Sequence, residues 1–179
     1  MSKSGDYEKG YTAYQSGDYA TALHEWKPLA EQRDADAQCA LGLMYQNGLG
    51  VTRDYKTAVK WFKLSAEQGN ALGQNNLGVM FRDGRGVTQD DKTAVKWYRL
   101  SAEQGNADGQ NNLGFMYQNG RSVTQDDKTA VKWFKLSAEQ GFADGQSNPD
   151  LTHFRAPKLH CTWQHPWERK RTSKRKKNT

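Results

Sequence analysis

The chain repeats itself along most of its length. Gln38, Gln74 and Gln110 follow one another at a period of 36 residues, and the segments that begin at Gln74 and Gln110 are nearly identical. Self-similarity at a period of about 20–50 residues is the signature of a solenoid, in which each unit buries its apolar face against its neighbours. The sequence therefore predicts an array of short units that presents a continuous surface.

Each unit reads as a helix, a loop, a second helix and a tight turn. In the unit 37–72 the first helix is predicted over 37–46, because Asn47-Gly48 then offers a left-handed cap. The second helix is predicted to end at Gly69. An aspartate at the start of each second helix can accept hydrogen bonds from free backbone amides. These predicted N-caps are Asp54, Asp90 and Asp126.

The second helices carry a stripe of small and aromatic residues at helical spacing, which predicts a face that packs on the preceding helix. Small side chains allow close approach, and aromatic side chains supply most of the buried area. In the unit 37–72 the stripe consists of Ala58, Trp61, Phe62, Ser65 and Ala66. The tryptophans that recur in it, Trp61, Trp97 and Trp133, are predicted to be core residues.

Residues 1–36 read as an atypical capping hairpin of two helices. Pro28 lies late in its second helix and lacks a backbone donor, so a kink or an early end is expected there. Arg33 stands where the later units have Gly69 and Gly105. Terminal units of a solenoid are expected to depart from the consensus because one of their faces meets solvent.

The stretch ALGLMYQNGLGVTRDYKTAVKWFKLSAEQG resembles the Sel-one-like repeat family, through its Leu-Gly-x-Met-Tyr, Gly-x-Gly-Val, Lys-x-Ala and Ala-x-Gln-Gly motifs. The resemblance covers three units, 37–72, 73–108 and 109–144, with the N-terminal hairpin as a weaker fourth. It implies an all-α fold: an α/α solenoid, built as a right-handed superhelix of tetratricopeptide-like repeats. It also implies a bacterial-type adaptor that gathers other proteins into complexes.

The chain departs from that family pattern at a few positions. Gly73 and Gly109 stand where the family often has alanine, and Ser122 replaces the loop glycine of the earlier units, Gly50 and Gly86. If that loop position needs a positive φ angle, the third loop is strained or differently shaped. Some members with paired cysteines in every repeat are β-lactamase-like, and this chain lacks those pairs.

Composition limits the location and the redox chemistry of the chain. No apolar run approaches the ~20 residues that span a bilayer, and the polar start MSKSGDYEKG lacks the apolar middle of a secretory signal. A cytoplasmic, monomeric protein is expected as written; a periplasmic or secreted one stays open if a leader precedes this methionine. Cys39 and Cys161 follow no repeated spacing, so no disulfide framework is predicted.

The excess positive charge lies in the last segment of the chain. Residues 1–145 hold 17 Lys and Arg against 18 Asp and Glu, whereas residues 146–179 hold 9 against 2. The repeat pattern stops abruptly at Pro149, where a leucine is expected. Residues 145–179 are therefore either a disordered basic tail or the product of a reading-frame shift inside a unit, and the abrupt change favours the shift.

The first helices suggest a binding surface. If Gln74, Leu77 and Gly78 face the core together with Ala71 and Phe81, helical periodicity places an apolar strip and several asparagines on the opposite side. Such a concave face could hold an extended protein segment, because an asparagine both donates and accepts hydrogen bonds. The alternative is that the strip merely widens the packing and the asparagines fill the surface. The candidate binding residues are Leu43, Asn75, Asn76, Val79, Asn111, Asn112 and Phe115.

Other candidate sites have simpler explanations. Adjacent acids at the helix starts, such as Asp90 with Asp91 and Asp126 with Asp127, are explained by capping and by the helix dipole. The run 169–177 could hold phosphates without sequence preference. A metal site is not predicted, because the remaining soft ligands match no closed zinc motif. Those ligands are His153, His160, Cys161 and His165.

Three function classes follow from the resemblance and from the charge of the last segment. The preferred prediction is a non-enzymatic scaffold without cofactor, catalytic or metal-binding residues, which binds an extended segment of a partner protein. The alternatives are a β-lactamase-like hydrolase and a basic-tailed binder of nucleic acid without sequence specificity. No membrane span is predicted.

Overall fold

In a computed structural model, residues 3–140 are described, and they form eight α-helices and no strand. The predicted basic tail and its histidines lie outside the described residues. Successive helices pair as antiparallel hairpins. We call α1 and α2 the N-terminal hairpin, and the next three hairpins units 1, 2 and 3. The helices are α1 (Lys3–Gln15), α2 (Tyr19–Glu31), α3 (Ala35–Asn47), α4 (Tyr55–Glu67), α5 (Ala71–Asp83), α6 (Asp91–Glu103), α7 (Ala107–Gln118) and α8 (Asp127–Ala138).

The hairpins stack in chain order into an α/α solenoid, which confirms the predicted fold class. Each helix contacts the next one along the chain, and the first helices of neighbouring units also contact each other, α3 with α5 and α5 with α7. The first helices therefore lie side by side along one wall of the array. This is the arrangement on which the predicted binding surface depends.

Aspartates begin the second helices as predicted. The Oδ1 atom of Asp54 accepts from the backbone amides of Lys56 at 2.9 Å and Thr57 at 3.3 Å, and its Oδ2 atom accepts from the Thr57 hydroxyl at 2.6 Å. Asp90 and Asp126 repeat these bonds. The hydrogen bond from the threonine hydroxyl holds the pKa of each of these carboxyls below its usual value, and the bond from the threonine backbone amide makes the next largest contribution.

The first helices begin two residues earlier than predicted, and α3 ends one residue later, at Asn47. Asp34 caps α3 by accepting from the amide of Ala37 at 2.9 Å, and Asn70 and Asn106 cap α5 and α7 in the same way. These caps move the predicted unit starts from 37, 73 and 109 to 35, 71 and 107. At the other end of α3, Gly48 adopts a φ of 72°, so the left-handed cap is confirmed.

The second helix of the N-terminal hairpin does not end early. It continues past Pro28 to Glu31, the position at which α4 ends at Glu67. Pro28 and His24 are both exposed, so water can solvate the His24 carbonyl that a proline cannot bond. Arg33 takes the left-handed conformation of its glycine counterparts, with a φ of 67° against 87° for Gly69.

The core lies between the two helices of each unit and between neighbouring units. On α4 the predicted stripe is buried at Ala58, Phe62, Ser65 and Ala66. Gly42 of α3 lies against the Phe62 ring so closely that a Cβ atom there would overlap it. The glycine therefore sets the distance between the two helices of the unit.

The repeated tryptophans were predicted to be core residues, but they are less buried than that prediction requires. Trp61, Trp97 and Trp133 are all half-buried. Trp133 packs against the core cluster formed by α6 and α7, and all three rings keep part of their surface accessible. The fully buried residues that were not predicted include the methionines of the first helices, Met44, Met80 and Met116.

Candidate partner-binding surface on the first helices

The predicted apolar strip lies along the row of first helices, one residue on each helix. Leu43 on α3 is 7% exposed, and Val79 on α5 and Phe115 on α7 are half-buried. Val79 and Phe115 also pack against the core between units 2 and 3. Each of these side chains therefore contributes to packing, and those on α5 and α7 keep part of their surface accessible.

Two of the predicted asparagines are buried between units 2 and 3. Asn75 is 5% exposed and Asn112 is 8% exposed. The Nδ2 atom of Asn112 donates to the Oδ1 atom of Asn75 at 2.8 Å, and its Oδ1 atom accepts from the Arg82 guanidinium at 3.3 Å. Their amides hold two units together, so they are not accessible to a ligand.

The other two asparagines are more accessible. Asn76 is half-buried, and its Nδ2 atom donates to the sulfur of Cys39 at 3.8 Å, which leaves its Oδ1 atom available. Asn111 is also half-buried, and its side-chain amide has no hydrogen bond with any other residue in 3–140. The accessible part of the predicted surface therefore consists of Asn76, Val79, Asn111 and Phe115.

The predicted core face of the first helices was too narrow. Gln74, Leu77 and Gly78 are buried as predicted, whereas Ala71 and Phe81 are only half-buried. The neighbouring first helix covers a second arc of each helix, and this arc includes Asn75. A helical wheel of one hairpin does not contain that contact, because it lies between units.

A chain of glutamine hydrogen bonds, which the sequence interpretation missed, links the units through the core. Gln74 is 4% exposed; its Oε1 atom accepts from Gln104 of the same unit at 2.7 Å, and its Nε2 atom donates to the carbonyl of Ala66 in the preceding unit at 3.2 Å. Gln38 and Gln110 make the equivalent bonds. The recurrence of a polar residue at a core position was the signal for this network.

A buried charged cluster adjoins the asparagine pair between units 2 and 3. Burial opposes the charged form of Arg82, but Tyr98 and a 2.8 Å hydrogen bond to Asp83 outweigh it and raise the pKa of Arg82. Burial raises the pKa of the Tyr98 phenol despite the nearby guanidinium. At neutral pH Arg82 is therefore a cation and Tyr98 is neutral. Neither group is suited to exchange protons with a substrate near pH 7.

The remaining candidate sites resolve into structural roles or lie elsewhere in the chain. Asp90 is a cap, and Asp91 receives two hydrogen bonds from Arg121, each at 2.9 Å. Within residues 3–140, no group of three or more His, Cys, Asp and Glu could hold a metal ion. None of the helices in that range is both long and apolar enough to cross a bilayer.

Comparison with known proteins assigns the units to a family. The model of the Sel1 repeat matches residues 35–70, 71–106 and 107–142, in the register that the helix caps set. No curated protein matches the chain.

Solved structures show the same fold. The protective antigen c5321 of uropathogenic Escherichia coli, which displays an SLR fold, is 41% identical over 78% of this chain, with a TM-score of 0.72. A Sel1 repeat protein from Oxalobacter formigenes is 31% identical over 78%, with a TM-score of 0.74. Cysteine-rich protein B of Helicobacter pylori, 20% identical over 72% of this chain and 92% of its own with a TM-score of 0.57, shares the fold.

The chain spans 31% of the length of the Escherichia coli protein and 56% of the Oxalobacter protein. Three consecutive repeats match the family model over more than half of the sequence, in agreement with the caps, the loops and the stacked hairpins described above. This chain belongs to the Sel1 repeat family.

Proposed function

We propose that this chain is a non-catalytic scaffold that binds an extended segment of a partner protein along its first helices. Sel1 repeat proteins generally mediate protein–protein interaction. The observation that supports the proposal is the pairing of Asn111 with Phe115 on α7. The Asn111 amide has no hydrogen bond within residues 3–140, and it lies one helical turn from a half-buried aromatic ring.

This pair matches the two needs of an extended peptide. An extended backbone presents amide and carbonyl groups that need partners, and one asparagine side chain supplies both a donor and an acceptor. Alternate peptide side chains then need apolar contacts, which Phe115 and Val79 offer on neighbouring helices. Asn76 provides a second amide oxygen one unit away. We call this set, Asn76, Val79, Asn111 and Phe115, the first-helix surface.

The test is selection of peptides from a random library displayed on phage, with the full chain as bait. We expect the chain to enrich peptides with regularly spaced apolar residues. Combining Asn111→Ala with Phe115→Ser should weaken their binding by about tenfold or more, since about 1.4 kcal/mol corresponds to each factor of ten. Both side chains are partly accessible, so the variant should keep its helical circular dichroism.

A matched control is Thr88→Ala, which changes an exposed loop residue of unit 2. Its affinity for the selected peptides should equal that of the unchanged chain. If the peptides bind the double variant and the unchanged chain equally well, the first-helix surface is not the binding site.

A further inference from the structure

The two helices of each unit carry opposite charge. The first helices α3, α5 and α7 hold one Arg against three Asp, a net charge of −2. The second helices α4, α6 and α8 hold nine Lys and Arg against four Asp and Glu, a net charge of +5. The array is nearly neutral as a whole, but its second helices together form a basic wall.

The cations of this wall form an ordered pattern. They occupy the same three positions on each second helix, and at about 100° per residue these positions fall within an arc of about 60°. All nine side chains are exposed. Of these nine cations, only Lys63 lies within ion-pair distance of a carboxylate of the described residues, that of Glu67 at 3.8 Å. The nine cations are Lys56, Lys60, Lys63, Lys92, Lys96, Arg99, Lys128, Lys132 and Lys135.

Apolar side chains lie beside the cations. Leu64 is 45% exposed and Leu100 is 37% exposed, at equivalent positions of α4 and α6. Leu64 also lines a groove of about 380 Å³ together with the half-buried Trp61 and with Ala30 at the end of α2; the polar side chains of Glu31, Arg33 and Glu67 form its rim. In both units the exposed leucine lies one helical turn after a lysine, Lys60 or Lys96, that has no carboxylate within ion-pair distance in residues 3–140, so this surface is amphipathic.

We propose that this basic face, the nine cations with Leu64 and Leu100, binds an acidic amphipathic helix of a partner protein. Glutamates on such a helix would pair with the lysines, and its leucines would cover Leu64 and Leu100 and enter the groove beside Trp61. The positive charge of the face favours an acidic partner through charge complementarity. Phosphates of a nucleic acid would satisfy the cations but would leave both leucines against polar groups.

The basic face lies on the second helices, whereas the first-helix surface lies on the other helix of each unit. One chain therefore has two chemically distinct faces, one for an extended neutral segment and one for an acidic helix. A scaffold needs two such faces to bring different partners together. This inference does not depend on the first-helix surface, because the two share no residue.

The test uses a fluorescein-labelled helical peptide of about 18 residues, about five turns, with leucines on one face and glutamates on the other. Its binding to the full chain is measured by fluorescence anisotropy. Reversing three equivalent cations, Lys60→Glu, Lys96→Glu and Lys132→Glu, should weaken binding at least about tenfold, because each reversal replaces attraction with repulsion. Raising the salt concentration should weaken binding to the unchanged chain as well.

The basic segment near the end of the chain supplies a matched control. Lys174→Glu, Arg175→Glu and Lys176→Glu make the same change in net charge, and this variant should retain affinity within about twofold if the basic face is the site. Replacing Leu64 and Leu100 with glutamine should weaken binding about fivefold without a change in charge. Circular dichroism should report the same helix content in all variants.

Three results would overturn the proposal. The peptide fails to bind the full chain, the control variant loses as much affinity as the reversal of the second-helix lysines, or the glutamine substitutions have no effect. Oligo(dT) or phosphatidylserine vesicles serve as competing ligands. If either ligand binds more tightly than the peptide, and the variant with the three lysine reversals no longer binds that ligand, the face binds phosphates and not an acidic helix. Combining Asn111→Ala with Phe115→Ser should leave peptide binding unchanged.

Discussion

The junction between units 1 and 2 and the junction between units 2 and 3 use the same positions with different side chains. In the first junction, Asn76 donates to the sulfur of Cys39 at 3.8 Å, and the Arg85 guanidinium lies 5.9 Å from the centre of the Tyr55 ring. In the second junction the equivalent positions hold stronger pairs. Asn112 donates to Asn75 at 2.8 Å, and Arg121 makes two bonds of 2.9 Å to Asp91.

The contacts that do not differ are those made to the main chain. The glutamine bonds to a backbone carbonyl of the preceding unit occur at both junctions. Within the units, Ser65 donates to the carbonyl of Ala35, and Ser101 and Ser137 do the same one and two units later. The framework of the array therefore rests on side chain to backbone bonds. Side chain to side chain pairs vary from one junction to the next.

The loops differ as well. Gly86 has a φ of 73° and lies against the backbone of Tyr55 so closely that a Cβ atom would overlap the Tyr55 carbonyl oxygen. Its counterpart in unit 3 is Ser122, which adopts a φ of 54°. The sequence-based concern that this position needs a positive φ is therefore justified, and unit 3 holds a side chain where unit 2 has no room for one.

The largest expected effect comes from making the two loops alike. Gly86→Ser should lower the free energy of unfolding by about 2–4 kcal/mol, because it combines a left-handed conformation with overlap against backbone that cannot move aside. The reverse change, Ser122→Gly, should raise it by about 1 kcal/mol. Urea unfolding followed by tryptophan fluorescence measures both. An unchanged midpoint for Gly86→Ser would show that the loop adjusts freely.

A smaller effect is expected from the asparagine pairs. Asn112→Ala should lower the free energy of unfolding by about 1–3 kcal/mol, because Asn75 and Arg82 would both be left buried with an unmet bond. Asn76→Ala removes only a weak bond to sulfur and should cost less than about 1 kcal/mol. Thermal unfolding of the two variants compares the junctions directly. Equal losses would contradict the view that the second junction is the more strongly bonded.

The smallest effect is expected from the arginines at the loop. Arg121→Met should lower the free energy of unfolding by about 1 kcal/mol at low salt and by less at high salt, because the ion pair with Asp91 is partly exposed. Arg85→Met removes a longer contact to an aromatic ring and a partly exposed ion pair with Asp83 at 3.5 Å, and should cost less than about 0.5 kcal/mol. Urea unfolding at two salt concentrations separates them. A loss for Arg121→Met that does not change with salt would argue against a coulombic origin.

Local features of the chain were readable from the sequence, and contacts between units were not. The period, the aspartate caps such as Asp54 and the glycine at the end of α3 depend on a few neighbouring residues, so their chemistry identifies them. The burial of Asn75 depends on the helix of the next unit that lies against it, and the surroundings of Trp61 include residues of the preceding hairpin. Those contacts form between residues about one period apart, and no helical wheel of a single unit contains them.

The accessible part of the proposed binding surface shows the same division. Residue type and helical position predicted Asn111 and Asn75 alike. The structure distinguishes them, because α7 covers Asn75, whereas no first helix follows α7 within residues 3–140. The basic pattern of the second helices was visible in the sequence as repeated lysines. Only the fold shows that these lysines share one face, because it places the first and the second helices on separate walls.

The glutamine chain has a consequence for how such a protein can change its length. The side-chain amide of Gln74 donates to a backbone carbonyl. All twenty amino acids have this acceptor, so the preceding unit needs no particular side chain at that position. Whole units can then be duplicated, deleted or exchanged without loss of this bond. Recombination can therefore lengthen or shorten the gene that encodes the array, and every resulting protein keeps this hydrogen bond between neighbouring units.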